Sequence, residues 1–215
     1  MIRMDVRRLV HSRLALFTLL YFATFLGVAA VQRNIEFLFY TIIMLIFLFF
    51  LVVFAETIHL EPWILTFTSL FICLHLVAGN IWIGEIKLYD QFLLGNDFRM
   101  DNLVHLIGGF LASVLAYNVL EPLLGKKLKR QRAVLLITVT FISLGIGSIN
   151  EIIELIGVLY FNAAPGVGDY LNNAKDQFYN FLGAVLATPL IAHDLRNKFF
   201  QQKISSKRIL GSDHE

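Results

Sequence analysis

Acids, amides and histidines interrupt four segments of this chain that are otherwise apolar enough to cross a bilayer. They are His75 and Asn80, then Asp101 and His105, then Asn150, Glu151 and Glu154, then Asp176 and Asn180. An ionisable group at the centre of a membrane helix costs about 2.5–3.5 kcal/mol on insertion scales, so such positions mark a functional site by default. The sequence therefore predicts a site built from these residues.

The residue types indicate cation chemistry. Four carboxylates, those of Asp101, Glu151, Glu154 and Asp176, would repel strongly in a low dielectric unless some are protonated or a cation is present. We therefore expect a divalent metal ion, held by these four acids and His105. Oxygen ligands with imidazole suit Mg, Mn, Ca, Zn or non-haem iron, and the residue types do not choose among them.

A metal here would allow catalysis. The ion would polarise a phosphoryl or carbonyl oxygen or activate water, while Glu151, Glu154 and His105 are the candidate catalytic residues for proton transfer. His75 and Asn180 complete the polar site.

Helical spacing puts the polar residues on single faces. Three stripes combine them with small residues, which let membrane helices pack closely. The stripes are Asp101, His105 and Gly108; Ser143, Gly147, Glu151, Glu154 and Gly157; and Asp176, Asn180, Gly183 and Ala187. We expect these faces to point toward one another.

Composition predicts a membrane protein. Of the 215 residues, 57% are hydrophobic and 16% charged, and the mean hydropathy is +0.69. Each of six apolar segments has the roughly 20 residues that cross about 30 Å of hydrocarbon. They are 14–31, 36–55, 61–82, 101–121, 133–160 and 175–194. The single cysteine, Cys73, excludes a disulfide framework and a thiolate metal site.

The predicted fold is an all-α, polytopic bundle of about six transmembrane helices. A basic cytoplasmic N-terminus (1–13) precedes the membrane domain (14–195), whose polar site lies on 75–183, and a basic, polar cytoplasmic tail (196–215) follows. The first two segments are expected to be lipid-facing scaffold. The stretch 83–100 alternates apolar with charged residues and is expected to lie at the outer interface, over the site.

Charge predicts the orientation. Fourteen of the 18 lysines and arginines fall on one side of the membrane if both termini are cytoplasmic, and four fall on the other: Arg33, Lys87, Arg99 and Lys175. Positive charge favours the cytoplasmic side. The net charge of +2 is then a topology signal, and no nucleic-acid partner is expected.

Some of these residues have simpler explanations. Asp101 and Asp176 lie in predicted first helical turns, where acids complement the helix dipole. Asn172 or Asn173 would cap a helix. His75 would equally serve as a hydrogen-bonded link between helices. Glu151 and Glu154 resist such explanations because they share one face far from either helix end.

Three motifs carry a resemblance to a known family. They are DNLVHLIGGF at 101–110, NEIIELIG at 150–157 and GDYLNNAKDQFYNFLGA at 168–184, with HLVAG at 75–79 as a fourth element. The chain resembles the uncharacterised bacterial inner-membrane family typified by YjdF and, more distantly, VanZ-like proteins. The resemblance adds Asp169 to the site and implies a multi-pass protein of a bacterial-type inner membrane, with an envelope-lipid or cell-surface role.

Three functions follow from these expectations. The first is a metal-dependent membrane hydrolase or transferase that acts on a lipid-linked or amphiphilic envelope substrate at the outer leaflet. The second is a non-catalytic protein that binds a lipid head group or an envelope partner in the same cavity. The third is a small-solute or cation transporter, which usually carries its site near the midplane between repeated halves.

Overall fold

The fold is a bundle of long helices. The computed structural model describes residues 6–58, 60–161 and 170–211. Its helices within those ranges are α1 (Val6–Val31), α2 (Ile35–Phe54), α3 (Pro62–Asn80), α4 (Met100–Leu120), α5 (Lys126–Arg130), α6 (Arg132–Phe161) and α7 (Tyr170–Gly211). The prediction of an all-α polytopic membrane bundle is confirmed.

Five of the described helices are long and apolar enough to cross a membrane: α1 from Arg13, α2, α3, α4 with its extension to Leu123, and α6. The sixth predicted segment, 175–194, lies within α7. This helix falls short in composition because its first half carries Asp176 and Asn180, which are buried against other helices. A membrane crossing by α7 stays a prediction, supported by its packing along α4 and α6 from Asn180 to Leu195.

Two glycines bring α4 and α7 together. A side chain at Gly109 would meet the backbone of Asn180, and one at Gly183 would meet the backbone of Leu106. The two helices run parallel, and α6 crosses them in the opposite direction, where the Ser143 hydroxyl donates to the Gly109 carbonyl over 2.8 Å. The small residues thus have the packing role that their spacing predicts, with Gly109 rather than Gly108 at the contact.

Apolar packing forms two buried clusters among the helices. One buried cluster joins α4, α6 and α7 and contains Val114, Leu135, Val139, Ile191 and Leu195. A second joins α1, α2 and α3 and includes Phe22, Leu48 and Leu76. The buried acids and His105 belong to neither cluster.

Two small hairpins form the connection between α3 and α4. Strand β1 (Trp82–Ile83) pairs with β2 (Ile86–Lys87), and β3 (Phe92–Leu94) pairs with β4 (Phe98–Arg99), both antiparallel. A 3-10 turn, Leu88–Asp90, separates them, and left-handed glycines, Gly84 and Gly95, make the tight turns. The amphipathic stretch predicted to cover the site thus consists of hairpins.

Charged residues tie the opposite end together. The Tyr117 hydroxyl donates to Asp194 over 2.7 Å, while Glu121 lies 2.6 Å from Lys129 and 3.4 Å from Lys198. Tyr117 and Glu121 lie at the end of α4, and Lys129 lies in α5. Asp194 and Lys198 lie in α7 at the end of the predicted membrane segment 175–194. The end of α7 therefore lies on the side opposite to the hairpins. Gln32, just after α1, donates to the carbonyl of Asn80 at the hairpin end of α3, so α1 also begins on the opposite side.

Candidate functional site

His105 is the centre of a buried polar cluster. Its Nε2 lies 3.3 Å from Asp101 Oδ1, one turn earlier on α4, and 3.7 Å from Asp176 Oδ1 on α7. Its Nδ1 lies 3.3 Å from the amide nitrogen of Asn180. All four side chains are almost fully buried. An imidazole between two carboxylates either shares a proton with them or, after losing that proton, joins them in binding a cation.

Asn172 holds the two aspartates in position. Its amide nitrogen donates to Asp176 over 2.9 Å and to Asp101 over 3.4 Å, and its amide oxygen accepts from the Arg99 guanidinium over 3.1 Å. Arg99 is the residue before α4, so its positive charge lies at the rim of an acidic cluster. We predicted that Asn172 or Asn173 would cap a helix, whereas the Asn172 side chain is a member of the site.

Glu151 and Glu154 extend the cluster onto α6. The Asn150 amide donates to Glu154 over 2.7 Å. Both carboxylate oxygens of Glu151 are buried and have no hydrogen-bond partner among the described residues. A carboxylate in that situation is unfavourable unless it is protonated or gains a partner.

Two sets of side chains have the spacing of metal ligands. Asp101, His105 and Asp176 form one set, and His105, Glu151 and Glu154 form the other; in each, one ligand atom per residue lies within 4.8 Å of the others. Because both sets share His105, they are two sides of one polar centre. The predicted convergence of α4, α6 and α7 on one point is therefore present.

A cavity of about 50 Å³ opens beside this centre. Asp101, Asp176, Asn172, Asn150 and Glu154 line one side of it, and α2 and α3 close the other with an aromatic wall. This volume holds a few water molecules.

His75 lies in that aromatic wall. Its ring centroid is 5.6 Å from that of Phe37 and 5.4 Å from that of Tyr89. Neither of its ring nitrogens hydrogen bonds to another described residue. The predicted interhelical hydrogen bond of His75 is thus not seen among the described residues, and the residue lines the cavity instead.

Tyr89 connects the hairpins to the site. Its hydroxyl donates a hydrogen bond to Asp101, and burial, followed by the neighbouring acid, raises the pKa of Tyr89 well above its usual range. The phenol therefore remains a neutral donor, and the 3-10 turn that carries it covers the cluster, as predicted for this stretch.

Comparison with known proteins places the chain in a family. A family model described as "Predicted membrane protein (DUF2238)" covers residues 12–197. The chain belongs to this family. The matched region contains every described residue of the polar centre, and the predicted resemblance to the YjdF-like family is confirmed because that family is DUF2238.

The description of the DUF2238 family as predicted membrane proteins supports a membrane location for this chain. No curated protein and no solved structure matches the chain. The more distant likeness to VanZ-like proteins stays a prediction.

The positions of the predicted residues within the DUF2238 chain differ in detail from expectation. Asp101 lies in the first turn of α4, as predicted. Asp176 lies six residues after Tyr170, the first residue of α7, and is therefore past the first turn, where an acid interacts with the helix dipole. Asp169 lies outside the described residues. His75 lines the cavity but belongs to neither ligand set.

At the beginning of α2, three members of the site were missed: Glu36, Phe37 and Tyr40, all of which line the cavity. The prediction that this segment is only lipid-facing scaffold is wrong for its first two turns, since Phe37 and Tyr40 are buried against His75. The acid Glu36, at the start of a segment otherwise without charge, was the available signal.

Proposed function

We propose that this protein is a metal-dependent membrane enzyme, a hydrolase or transferase that acts on an amphiphilic envelope substrate. The observation that supports the proposal is the pair of ligand sets that share His105. Buried acids without enough positive partners are costly, and a divalent cation is a partner that five clustered ligands can hold.

The residues divide into binding and proton-transfer roles. Asp101, His105 and Asp176 would hold the ion, with Asn172 and Tyr89 orienting the carboxylates as outer hydrogen-bond partners do in metal sites. When bound, the ion would polarise a phosphoryl or ester oxygen. Glu151, whose oxygens have no described partner, is the candidate general base, and Glu154 is oriented by Asn150.

The location of the cavity supports an amphiphilic substrate. It lies at the hairpin end of the bundle, between α2 and α6, and Ile43, Met44 and Ile153 line it together with the acids. All three are only partly buried, so an apolar wall separates the polar centre from the lipid-facing surface. A substrate with a polar head and apolar chains would satisfy both environments.

A transporter is less well supported. Transporter sites usually lie near the midplane, often on broken helices. Here the polar centre is at one end of the bundle. Beyond Ser143, the described residues between α4, α6 and α7 form an apolar cluster around Val139 and Ile191.

We also propose that the membrane is a bacterial inner membrane whose periplasmic side faces the hairpins.

Lipid analysis would test the enzymatic proposal. The protein is reconstituted in nanodiscs of bacterial lipid extract with Mg, Mn, Ca, Zn or Fe(II), and the lipids are followed by mass spectrometry. We expect a metal-dependent product in the wild type and none with Glu151→Gln, while the exposed control Asp97→Asn retains activity. An amphiphile that is retained unmodified with every metal would contradict catalysis and favour the binding function.

A further inference from the structure

A second, larger cavity adjoins the polar centre. This outer cleft has a volume of about 480 Å³ and is lined by the turn between α1 and α2, the first hairpin and the end of α6. Its size is that of a small-molecule binding site. Glu36 lines both this cleft and the inner cavity, so its side chain lies between the two.

An ion pair forms that separation. Lys87 Nζ on β2 lies 3.0 Å from Glu36 Oε2, and both side chains are largely buried. The ammonium also lies 5.2 Å from the centroid of the Phe37 ring and 5.9 Å from that of Trp82. The position of Lys87 is therefore fixed, with its charge at the floor of the cleft.

The cleft offers charges of both signs. Arg33 supplies a second cation, and its exposed side chain takes part in no ion pair among the residues that the structure describes. Glu85 likewise has no ion-pair partner within the described ranges, whereas Asp90 lies 3.7 Å from Arg99. Lys87 is paired with Glu36, so Arg33 and Glu85 are the charges of the cleft that have no ion-pair partner within the described ranges. One such charge of each sign complements a zwitterion better than a simple anion.

The rim of the cleft is apolar. Ile35, Trp82, Ile86 and Phe161 are all exposed and line it. Ile35 begins α2 and Phe161 ends α6, and exposed large apolar side chains continue along both helices, for example Ile42, Phe49, Ile152 and Leu159. Tryptophan is typical of the membrane–water interface. An occupant of the cleft thus has a continuous apolar surface on which to place hydrocarbon chains.

We propose that the outer cleft binds the head group of a zwitterionic phospholipid, with the phosphate at Arg33 and the ammonium at Glu85. The proposal deepens the proposed function and rests on it, since it names the class of amphiphile presented to the polar centre. The lipid chains lie along the exposed surfaces of α2 and α6.

Lipid retention measured by native mass spectrometry tests this assignment. Detergent-purified protein is given an equimolar mixture of phosphatidylethanolamine and phosphatidylglycerol with identical chains. We expect preferential retention of phosphatidylethanolamine, reduced about fivefold or more by Arg33→Asn, because a charge-assisted bond to phosphate is lost. Asparagine suits the left-handed backbone of Arg33, whose φ is 52°. Lys175→Gln, which removes a basic residue outside the cleft, retains the lipid as the wild type does.

Three outcomes would overturn the assignment. They are equal retention of the two lipids by the wild type, unchanged retention by Arg33→Asn, and binding of soluble glycerophosphoethanolamine as tight as that of the lipid. Metal content is measured in the same samples. Protein that binds metal without retaining the zwitterionic lipid overturns the cleft assignment alone, and protein that retains the lipid without metal overturns the metal-dependent function alone.

Discussion

At the scale of single residues, His105 organises the site because it lies between acids of two helices. Asp101 and Asp176 both face its Nε2, and Asn172 and Tyr89 supply neutral donors to the same carboxylates. The acidic cluster therefore has hydrogen-bond donors from three separate elements: α4, α7 and the turn after the first hairpin.

Replacing Tyr89 by phenylalanine tests this support. The change removes one hydrogen bond to a buried carboxylate and keeps the ring against His75, so we expect a loss of about 1–2 kcal/mol in stability. The measurement is the free energy or midpoint of unfolding in detergent. Tyr170→Phe removes a hydroxyl from an exposed tyrosine and is the matched control. Equal stability of Tyr89→Phe, the control and the wild type would contradict a supporting role for the phenol.

Many of the site's residues could be predicted from the sequence, and the reasons for the misses are physical. Acids and a histidine inside apolar segments are costly, which identified Asp101, His105, Glu151, Glu154 and Asp176. Phe37 and Tyr40 were not predicted to belong to the site because a sequence does not distinguish a buried aromatic ring from a lipid-facing one. Tyr89 was not predicted because its contact with Asp101 depends on the path of the hairpin connection, which the spacing of apolar and polar residues does not reveal.

At the scale of elements, the close approach of α4 and α7 sets the geometry of the cluster. Gly109 faces the backbone of Asn180, and Gly183 faces that of Leu106. His105 and Asn180 therefore meet across a contact that leaves no room for a side chain. The Asp–x3–His and Asp–x3–Asn spacings predicted the two faces, but which of the neighbouring glycines, Gly108 or Gly109, makes the contact depends on helix rotation.

Gly109→Ala tests the close contact between α4 and α7 most directly. The added methyl would collide with backbone, and overpacking costs about 1–3 kcal/mol. We expect a lower unfolding midpoint, and weaker metal binding because His105 and Asp176 move apart.

Gly145→Ala is the control for this substitution. It lies in α6 with no neighbouring atom within 4 Å of the added methyl, and alanine there is neutral or stabilises the helix by up to about 1 kcal/mol. If Gly109→Ala behaved like Gly145→Ala, the close helix contact would not be what positions the cluster.

At the scale of the whole molecule, the polar centre and the hairpins lie at one end of the bundle, and the charged residues around Glu121 lie at the other. The distribution of lysine and arginine predicts that the hairpin end faces outward. The apolar segments were readily predicted because hydropathy and length suffice for them. The segment 175–194 of α7 was predicted as well, but its polar face, which packs against other helices, lowers its mean hydropathy below that of the other five segments.

Labelling of single cysteines tests the orientation. In a Cys73→Ser background, Asp97→Cys places a thiol on the exposed second hairpin, and Lys127→Cys places one on exposed α5. We expect a membrane-impermeant maleimide to label the first variant in intact cells and the second only after lysis. The reverse pattern would put the polar centre on the cytoplasmic side and would exclude an outer-leaflet substrate.

The central claim, that the polar centre holds a divalent metal ion, is tested most directly by the metal content of the purified protein. The protein is stripped with chelator, reloaded with Mg, Mn, Ca, Zn or Fe(II), and analysed by elemental mass spectrometry. The account predicts about one tightly bound ion per chain, bound more weakly as the pH falls because protons compete for His105 and the carboxylates. It predicts loss of that ion in Asp101→Asn/Asp176→Asn and its retention in Asp97→Asn. A wild type that binds none of these metals above the level of the double variant would contradict it.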